Sequence, residues 1–475
     1  MTWPRVSSHL TRTATYLATI VFTQAVSFAL LPLITRYLGP APYGTYALTL
    51  AVANLLAMFG TAWVRNVAFR LFFDAVKDGR TGSFYVTIAS LQAVIVTLLF
   101  SIAVLVAWWS PNPWIPVSAL LSAGAMMLAG DLLSLSVGVL QAEGRAGRFA
   151  LAEATAASTR FVGTLAGLVA GARTPEFLFL AAAAASALGA VVAVIALRKV
   201  LTGPPGFDRH ALALVSGRVL GAMPFSVGEW LHATADRVVL DMFATRAVVG
   251  IYAAGHALGD RLTGSLVMAV FMMAWPDTLA AWNRGGTSEA RLAIRRQIVL
   301  FLWFTVGPLV VLMLYAPSVV RLLGGAYQTA AVIIPWVALA AWVRGLGNCF
   351  NRHFELKKRY GALSAMTLGG AAINVALNFL LVPRFGAEGA AVATLVAQSS
   401  VTVGFIATRD RDLVDFPFGD AGVVAAATVV ATSVAWPWLG QTIQGLLVFA
   451  VAYATTLAVA LAARLLPGSG RSRRA

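Results

Sequence analysis

The chain has 475 residues, of which 59% are apolar and only 11% charged, and its mean hydropathy is +0.80. A soluble protein carries about 25% charged residues, so this chain has too little polar surface to be one, and its hydrophobicity excludes a disordered chain. The single cysteine, Cys349, excludes a disulfide scaffold. The formal charge of +16 does not mark a nucleic-acid partner, because the Lys and Arg sit in short clusters between long apolar runs.

A membrane-spanning helix needs about 20 apolar residues. Fourteen such runs follow one another, at 14–35, 43–63, 84–108, 117–140, 149–171, 176–197, 211–235, 247–275, 297–316, 328–350, 360–382, 387–408, 419–438 and 443–463. The first follows Arg5 and Arg12 as a signal peptide would. Its apolar stretch is too long for one, and no small-residue cleavage site precedes Arg36, so it reads as a retained first helix. Transmembrane barrel strands would be about 10 residues of strict alternation, and that pattern is absent. The reading is an all-α polytopic membrane protein with connections too short to hold a soluble domain.

The distribution of Lys and Arg orients the spans. With both termini in the cytoplasm, 26 of the 35 basic residues fall on the cytoplasmic side (Arg218, near the start of the seventh run, counted among them), six fall outside, and Arg160, Arg261 and Arg344 lie deeper within spans. An error of one helix would scramble that bias.

The chain also resembles itself. At an offset of 206, Gly44-Thr45-Tyr46-Ala47 lies against Gly250-Ile251-Tyr252-Ala253, and a second echo sets Gly147-Arg148-Phe149 against Lys358-Arg359-Tyr360. A repeat of six spans, an even number, leaves both halves the same way up, related about an axis along the membrane normal. The expected divisions are residues 1–205 (spans one to six), 206–412 (spans seven to twelve) and 413–475 (two appended spans and a basic tail).

Three stretches carry a resemblance to a known family. Arg36-Tyr37-Leu38-Gly39-Pro40 with Tyr43-Gly44-Thr45-Tyr46 resembles the first outer loop of Wzx-type polysaccharide flippases, the PST branch of the MOP exporter superfamily. Ala235-Asp236-Arg237-Val238-Val239-Leu240 with Val249-Gly250-Ile251-Tyr252 is similar to the matching turn of their second half. Asn374 through Pro383, with Gly386-Ala387-Glu388-Gly389-Ala390-Ala391, is similar to their eleventh-to-twelfth span signature. The resemblance implies two six-helix lobes with alternating access and two extra helices. It also implies movement of an undecaprenyl-diphosphate-linked oligosaccharide to the outer leaflet of the bacterial inner membrane, with lipids and polysaccharide polymerase machinery as partners and no cofactor.

Ionisable groups deep in a bilayer are costly and are functional candidates by default. Arg261, near the middle of span eight, follows Asp260, with His256 one turn earlier. Its planar guanidinium suits a phosphate and keeps its proton; the competing reading is a helix lock with Asp131 or Glu229. Arg344, Asn348 and Asn351 stand at i, i+4 and i+7 on one face of span ten, suited to sugar hydroxyls or to interhelical hydrogen bonds. Glu229, His232 and Asp236 share a face of span seven, where a carboxylate beside a histidine suits a cation or proton; Asp236, near the outer end, reads equally as solvated or paired with Arg237. Asp260 is a further coupling candidate. The runs Gly163, Gly167, Gly171 and Gly255, Gly259 read as helix-packing ridges.

No nucleotide-binding loop, paired-Cys or His-rich metal site, or nucleophile elbow occurs in the sequence, so an enzyme is not the expectation. The rival transport readings are a lipid II flippase and a cation-coupled drug exporter of the same superfamily. A polysaccharide polymerase or glycosyltransferase would need larger outer loops. The charge bias makes the topology testable. Reporter fusions at Lys77, Arg209 and Lys358 should read cytoplasmic, and those at Asn112 and Gly440 should read outside; one clear reversal overturns the fourteen-span topology.

Overall fold

The computed structural model of the chain describes residues 6–111, 114–203, 206–216, 223–438 and 442–465. Of 6–11, 62, 63, 65–70, 214–216, 223–227, 229, 233, 442, 443 and 463–465 it describes the backbone alone. Asn112 and Gly440 therefore lie outside the described residues, as does the side chain of Glu229.

Hydrocarbon offers the backbone no hydrogen-bond partners, so a chain this apolar satisfies its amides internally, as helices. Among the described residues every regular element is helical. In order these are α1 (Val6–Leu38), α2 (Pro40–Gly60), α3 (Ala62–Lys77), α4 (Thr81–Trp109), α5 (Val117–Ala142), α6 (Ala146–Val169), α7 (Pro175–Leu197) and α8 (Arg209–Ser216). They continue with α9 (Met223–Phe243), α10 (Arg246–Leu314), α11 (Ala316–Val319), α12 (Ile333–Phe350), α13 (Arg352–Leu356), α14 (Tyr360–Ala407), α15 (Phe418–Ala435) and α16 (Thr442–Leu465). Two 3-10 turns, Val320–Leu323 and Gly325–Val332, lead into α12.

Ten helices among the described residues are long and apolar enough to cross a membrane, with best windows of mean hydropathy 1.3–2.5 that are only 22–50% buried. Apolar faces left open on that scale require lipid. Two of the ten exceed a single span. The 69 residues of α10 would reach about 100 Å if straight. Instead α10 breaks at Gly286 (φ 62°), and the 48-residue α14 breaks at Gly386 (φ 56°). α6 and α9, with 24 and 21 residues, are also long enough to cross but carry more charge: Arg148, Glu153 and Arg160 in α6, and Glu229, Asp236, Arg237 and Asp241 in α9. The run expected at 211–235 falls partly on α8 and partly on α9, whose helix continues to Phe243. The basic segment after span two, expected as a connection, is itself the helix α3, with Leu71, Phe72 and Ala75 buried and Phe73 and Val76 exposed.

The chain forms two compact units, Met1–Ala253 and Ala254–Ala475. The first extends beyond α8 because α9 packs on α2, where the indole of Trp230 donates to the Ala51 carbonyl at 3.0 Å. Within it α5, α6 and α7 close on Gly189, whose missing β-carbon would stand 2.8 Å from Ala156 Cβ and 3.2 Å from Leu133 Cδ1. The segment after α7 is clipped to the start of α4. Thr81 Oγ1 donates to the Val200 carbonyl at 2.7 Å and accepts from Thr202 N at 2.8 Å, while Arg80 pairs with Asp208. In the second unit, α15 and α16 pack through Ala427, Ala431, Phe449 and Tyr453. The hydroxyl of Tyr453 donates to the Trp303 carbonyl at 3.2 Å, over the space left by Gly307.

The internal repeat is visible in where helices begin. α2 starts at Pro40 and α10 at Arg246, 206 residues on. The second echo holds at a different register. Gly144 (φ 66°) and Lys358 (φ 56°) each end a helix in the left-handed conformation. Arg145 and Arg359 then sit at matching N-cap positions, and α6 and α14 start at the next residue. The equivalence is therefore Gly144-Arg145-Ala146 with Lys358-Arg359-Tyr360, an offset of 214 rather than 211. Both turns close with the same six-residue backbone bond, Arg145 N to Leu140 O at 2.9 Å and Arg359 N to Phe354 O at 2.7 Å. The sequence match at Gly147-Arg148 follows letter identity, whereas the turn geometry sets the true register.

The glycine ridge of α6 is corrected as well. Gly167 makes room for the Phe177 ring, Gly171 (φ 94°) ends the helix, and Gly163 meets nothing, so the three do not form one packing seam.

Lys358 is the one non-glycine residue with positive φ among those described, at the place where its repeat counterpart is glycine. A β-carbon in the left-handed region costs about 1–2 kcal/mol. Lys358→Gly should therefore stabilise the protein by about 1 kcal/mol or slightly less, since glycine also loses more chain entropy. Denaturant titration in detergent measures it, and a loss of stability would contradict the assignment.

Candidate functional site

The site is built from small residues upward. On α10, Gly255 and Gly259 lie one turn apart and face α12 and the 3-10 turn before it. A β-carbon on Gly255 would stand 3.0 Å from Ala330 Cβ, and one on Gly259 would stand 3.0 Å from the Ile334 carbonyl oxygen and 3.4 Å from Ala338 N. Here the packing-ridge expectation holds, with backbone against backbone. Asp260 is the residue after Gly259. Arg344 lies six residues beyond Ala338, about 9 Å along α12. Helical side chains lean toward the N-terminus, so its guanidinium reaches back over that distance. Arg344 Nη2 meets Asp260 Oδ1 at 2.7 Å.

Both members of this pair are partly open, with 44% of the Arg344 side chain and 35% of the Asp260 side chain exposed. Arg261 is exposed beside them, and His256, one turn earlier, is half-buried. Arg344 of α12 thus pairs with Asp260 of α10, and Arg261 is the next residue along α10, all at positions within apolar spans.

The stripe below Arg344 is uneven. Asn348 is half-buried, whereas Asn351, at the C-cap of α12, is buried and donates from Nδ2 to Asn348 Oδ1 at 3.4 Å. Only Arg344 and Asn348 of the three therefore offer much surface to a ligand. Below them the helix end is fastened by Arg352, which pairs with Glu355 at 2.7 Å. Its guanidinium lies 4.2 Å from the Trp275 ring centre and 5.0 Å from that of Phe271. Although it stands just past the end of the tenth apolar run, Arg352 is buried (8% exposed). Asp410 nearby pairs with Lys357, which holds its carboxyl below the usual carboxylate range. Its contribution to stability is present above that range and is lost as pH falls through the lowered value. Burial pushes the His353 imidazole down, so this end of the unit favours the neutral ring.

The span-seven candidates lie in the other compact unit. His232 and Asp236 are buried in α9. Asp236 is not solvated: it is completely buried, it accepts the Tyr252 hydroxyl, and its Oδ1 takes the Arg237 backbone N–H at 2.8 Å. The Tyr252 bond spans 16 residues between two helices, too far for sequence spacing to reveal. Asp131, named as a partner for Arg261, is buried in α5 of the first unit. In the second unit, the Asn374 and Asn378 of the span-eleven motif form a buried polar seam inside α14. Asn378 Nδ2 donates to the Asn374 carbonyl at 2.8 Å, and Asn374 Nδ2 donates to Thr394 Oγ1 at 3.4 Å, joining the two halves of the bent helix. Among the described residues no group of three or more His, Cys, Asp or Glu is arranged to hold a metal.

Among the described residues every regular element is helical, with two double-length helices bent at glycines and charges inside apolar spans; this is a polytopic membrane fold, and solved structures share it. The chain is similar to the lipid II flippase MurJ in an inward closed conformation (TM-score 0.78, 12% identity, covering 95% of this chain and 99% of that one). It is also similar to a multidrug resistance MATE family transporter of the MOP superfamily in its inward-facing conformation (TM-score 0.62, 14% identity, 85% and 95% covered). The outward-facing conformation of such a transporter gives TM-score 0.54 at 13% identity, with 87% and 96% covered. No individually curated protein matches the chain. The sequence model of the polysaccharide biosynthesis protein family matches residues 10–276, more than half of the 475, and the chain belongs to that family.

The open ion pair can be weighed directly. Exposed pairs contribute about 0.2–1 kcal/mol. Asp260→Asn and Arg344→Gln, made singly and together, should show a coupling energy in that range by unfolding in detergent. A coupling of zero would mean the pair is not maintained.

Proposed function

We propose that the protein is a flippase that carries an undecaprenyl-diphosphate-linked oligosaccharide from the cytoplasmic to the outer leaflet of the inner membrane, for assembly of O-antigen, capsule or exopolysaccharide. Membership of the polysaccharide biosynthesis family supports the substrate class. The observation that carries the reading is the group of Arg261, Arg344 and Asp260, whose side chains are partly exposed at positions inside apolar spans. Intramembrane charges face protein or a water-filled cavity rather than lipid, so open ones line a path.

Two arginines and one carboxylate give this group a net positive charge, which suits a diphosphate. Arg261 and Arg344 would grip it through paired N–H donors, and Asn348 would meet the first sugar. In this reading, residues 1–205 and 206–412 are lobes that alternate access, with 413–475 appended and both termini cytoplasmic. Moving two negative charges outward across an inside-negative membrane is downhill by about 4.6 kcal/mol per 100 mV, so no ATP is needed. Glu229, His232 and Asp260 are the groups where an ion or proton could couple. Nothing in the chain supplies transferase or hydrolase chemistry, and polymerase machinery would act on the delivered product.

A second reading, a lipid II flippase, is favoured specifically by the fold similarity to MurJ. Both cargoes present a lipid diphosphate and differ in the sugar. Arg261→Ala should abolish translocation of either cargo while the protein still folds, and Arg261→Lys should restore it only in part, because the planar fork is lost. Normal flipping by a well-folded Ala variant removes Arg261 from the mechanism. Asn348→Leu should weaken transport of the sugar-bearing lipid more than that of the bare carrier, and equal losses would assign Asn348 to packing. Both are measured in proteoliposomes with defined lipid-linked substrates.

A further inference from the structure

Past the break at Gly286, the second half of α10 approaches its apolar run through a cluster of arginines. Arg291 and Arg295 stand one turn apart on one face, Arg296 follows, and all three are exposed. Arg291 and Arg295 lean on a single atom of the loop before α15. Arg291 Nη2 lies 3.7 Å, and Arg295 Nη1 3.5 Å, from Asp415 Oδ2. The first distance is too long for a hydrogen bond and the second is at its limit. Neither guanidinium makes another hydrogen bond or ion pair among the described residues, so most of their N–H donors are unengaged.

The carboxylate is the fixed member of this group. Leu413 and Val414 before it are buried, and the Phe416 ring after it stacks on Phe350 with centres 6.0 Å apart. The backbone of Asp415 is thereby held, whereas the arginine side chains are 46% and 49% exposed and free to shift. A held carboxylate thus gathers two cationic side chains at one place without satisfying either.

Two large apolar side chains stand open on the same segments. Leu292, next to Arg291, is 69% exposed. Phe418, three residues beyond Asp415, is 78% exposed, and its ring meets that of Phe416 edge-on at 4.9 Å. Leu292 lies just before the apolar run at 297–316, and Phe418 just before that at 419–438. Both therefore stand where spans meet lipid headgroups. A soluble anion has no use for such side chains; a phospholipid has.

We infer that Arg291 and Arg295 hold the phosphate of an anionic phospholipid of the surrounding bilayer, with Leu292 and Phe418 against its acyl chains. Guanidinium forks pair with phosphate oxygens through two parallel N–H donors, a closer match than one shared carboxylate oxygen. Clusters of arginine at span ends attract acidic lipid surfaces in the same way. A lipid seated here ties the start of the post-Gly286 half of α10 to the start of α15. It is a resident of the membrane and not the cargo, so the inference stands apart from the substrate reading.

Native mass spectrometry of the whole protein in detergent, with added phosphatidylglycerol, tests it. Arg291→Gln or Arg295→Gln should weaken the tightest-bound lipid about fivefold, and the double variant by more than about tenfold. Asp415→Asn, which removes the competing carboxylate, should instead tighten it by roughly twofold or more, the opposite of what loss of a structural ion pair would do. Phe418→Ser should weaken the lipid while leaving binding of glycerol phosphate, its chain-free headgroup, unchanged. The control is Arg198→Gln with Lys199→Gln, two exposed basic residues in the other compact unit, which should leave the tightest site unaltered. Equal loss in that control reduces the effect to general charge and overturns the proposal. So does equal binding of zwitterionic phosphatidylcholine, displacement of the lipid by inorganic phosphate at equal concentration, or weaker binding by Asp415→Asn.

Discussion

In hydrocarbon, apolar side chains gain nothing by leaving lipid for one another, so helices are held by close backbone approach and by a few polar contacts. The structure repeatedly achieves this approach by omitting a β-carbon. Gly189 lets α7 settle against α5 and α6, Gly259 brings α10 onto α12, and Gly44 and Gly250 let α2 and α10 cross. The polar contacts then follow from the approach. Asp260 reaches Arg344 because Gly259 is next to it, and the guanidinium leans back along its helix to meet it. If the backbones were one methyl group further apart, the charges would still be present but would not be paired.

That dependence explains what was legible in the sequence and what was not. Apolar runs and their bounding charges report on contact with lipid and water, which each residue meets individually. The apolar helices were therefore readable in order, ten of them among the described residues being long and apolar enough to cross a membrane, whereas the left-handed breaks at Gly286 and Gly386 were not singled out. Contacts between helices depend on rotation and register, which a linear pattern does not carry. The Asp260–Arg344 pair joins residues 84 positions apart, and Asp236 meets Tyr252 across a helix boundary, so neither had a local signal. The Gly255–Gly259 ridge was readable because it lies on one helix face, but the same reasoning misread Gly163, Gly167 and Gly171, where one glycine admits a ring and another stops the helix. The burial of Arg352 had no local signal either, because its aromatic partners Phe271 and Trp275 lie on another helix.

The charges divide by environment. Arg352, Asp236 and Asp241 are enclosed by partners that hold specific helix ends together, whereas Arg261 and the Arg344–Asp260 pair keep a large part of their surface open. Enclosed pairs resist exchange, since removing one partner strands the other at a cost of about 3–5 kcal/mol. An open pair can trade one partner for another at little cost.

The reversal between α5 and α6 has a consequence for how the chain enters the bilayer. Only Glu143, Gly144 and Arg145 separate the two helices, and the turn is closed by its own backbone bonds. A connection this short cannot pay out slack, so neither helix can settle at its final depth before the other. The two must be handed from the translocation machinery to lipid as a single hairpin, with Arg145 and Arg148 remaining at the membrane surface as the stop that fixes its depth. The matching turn at Lys358 binds the short α13 to the first half of α14 in the same way.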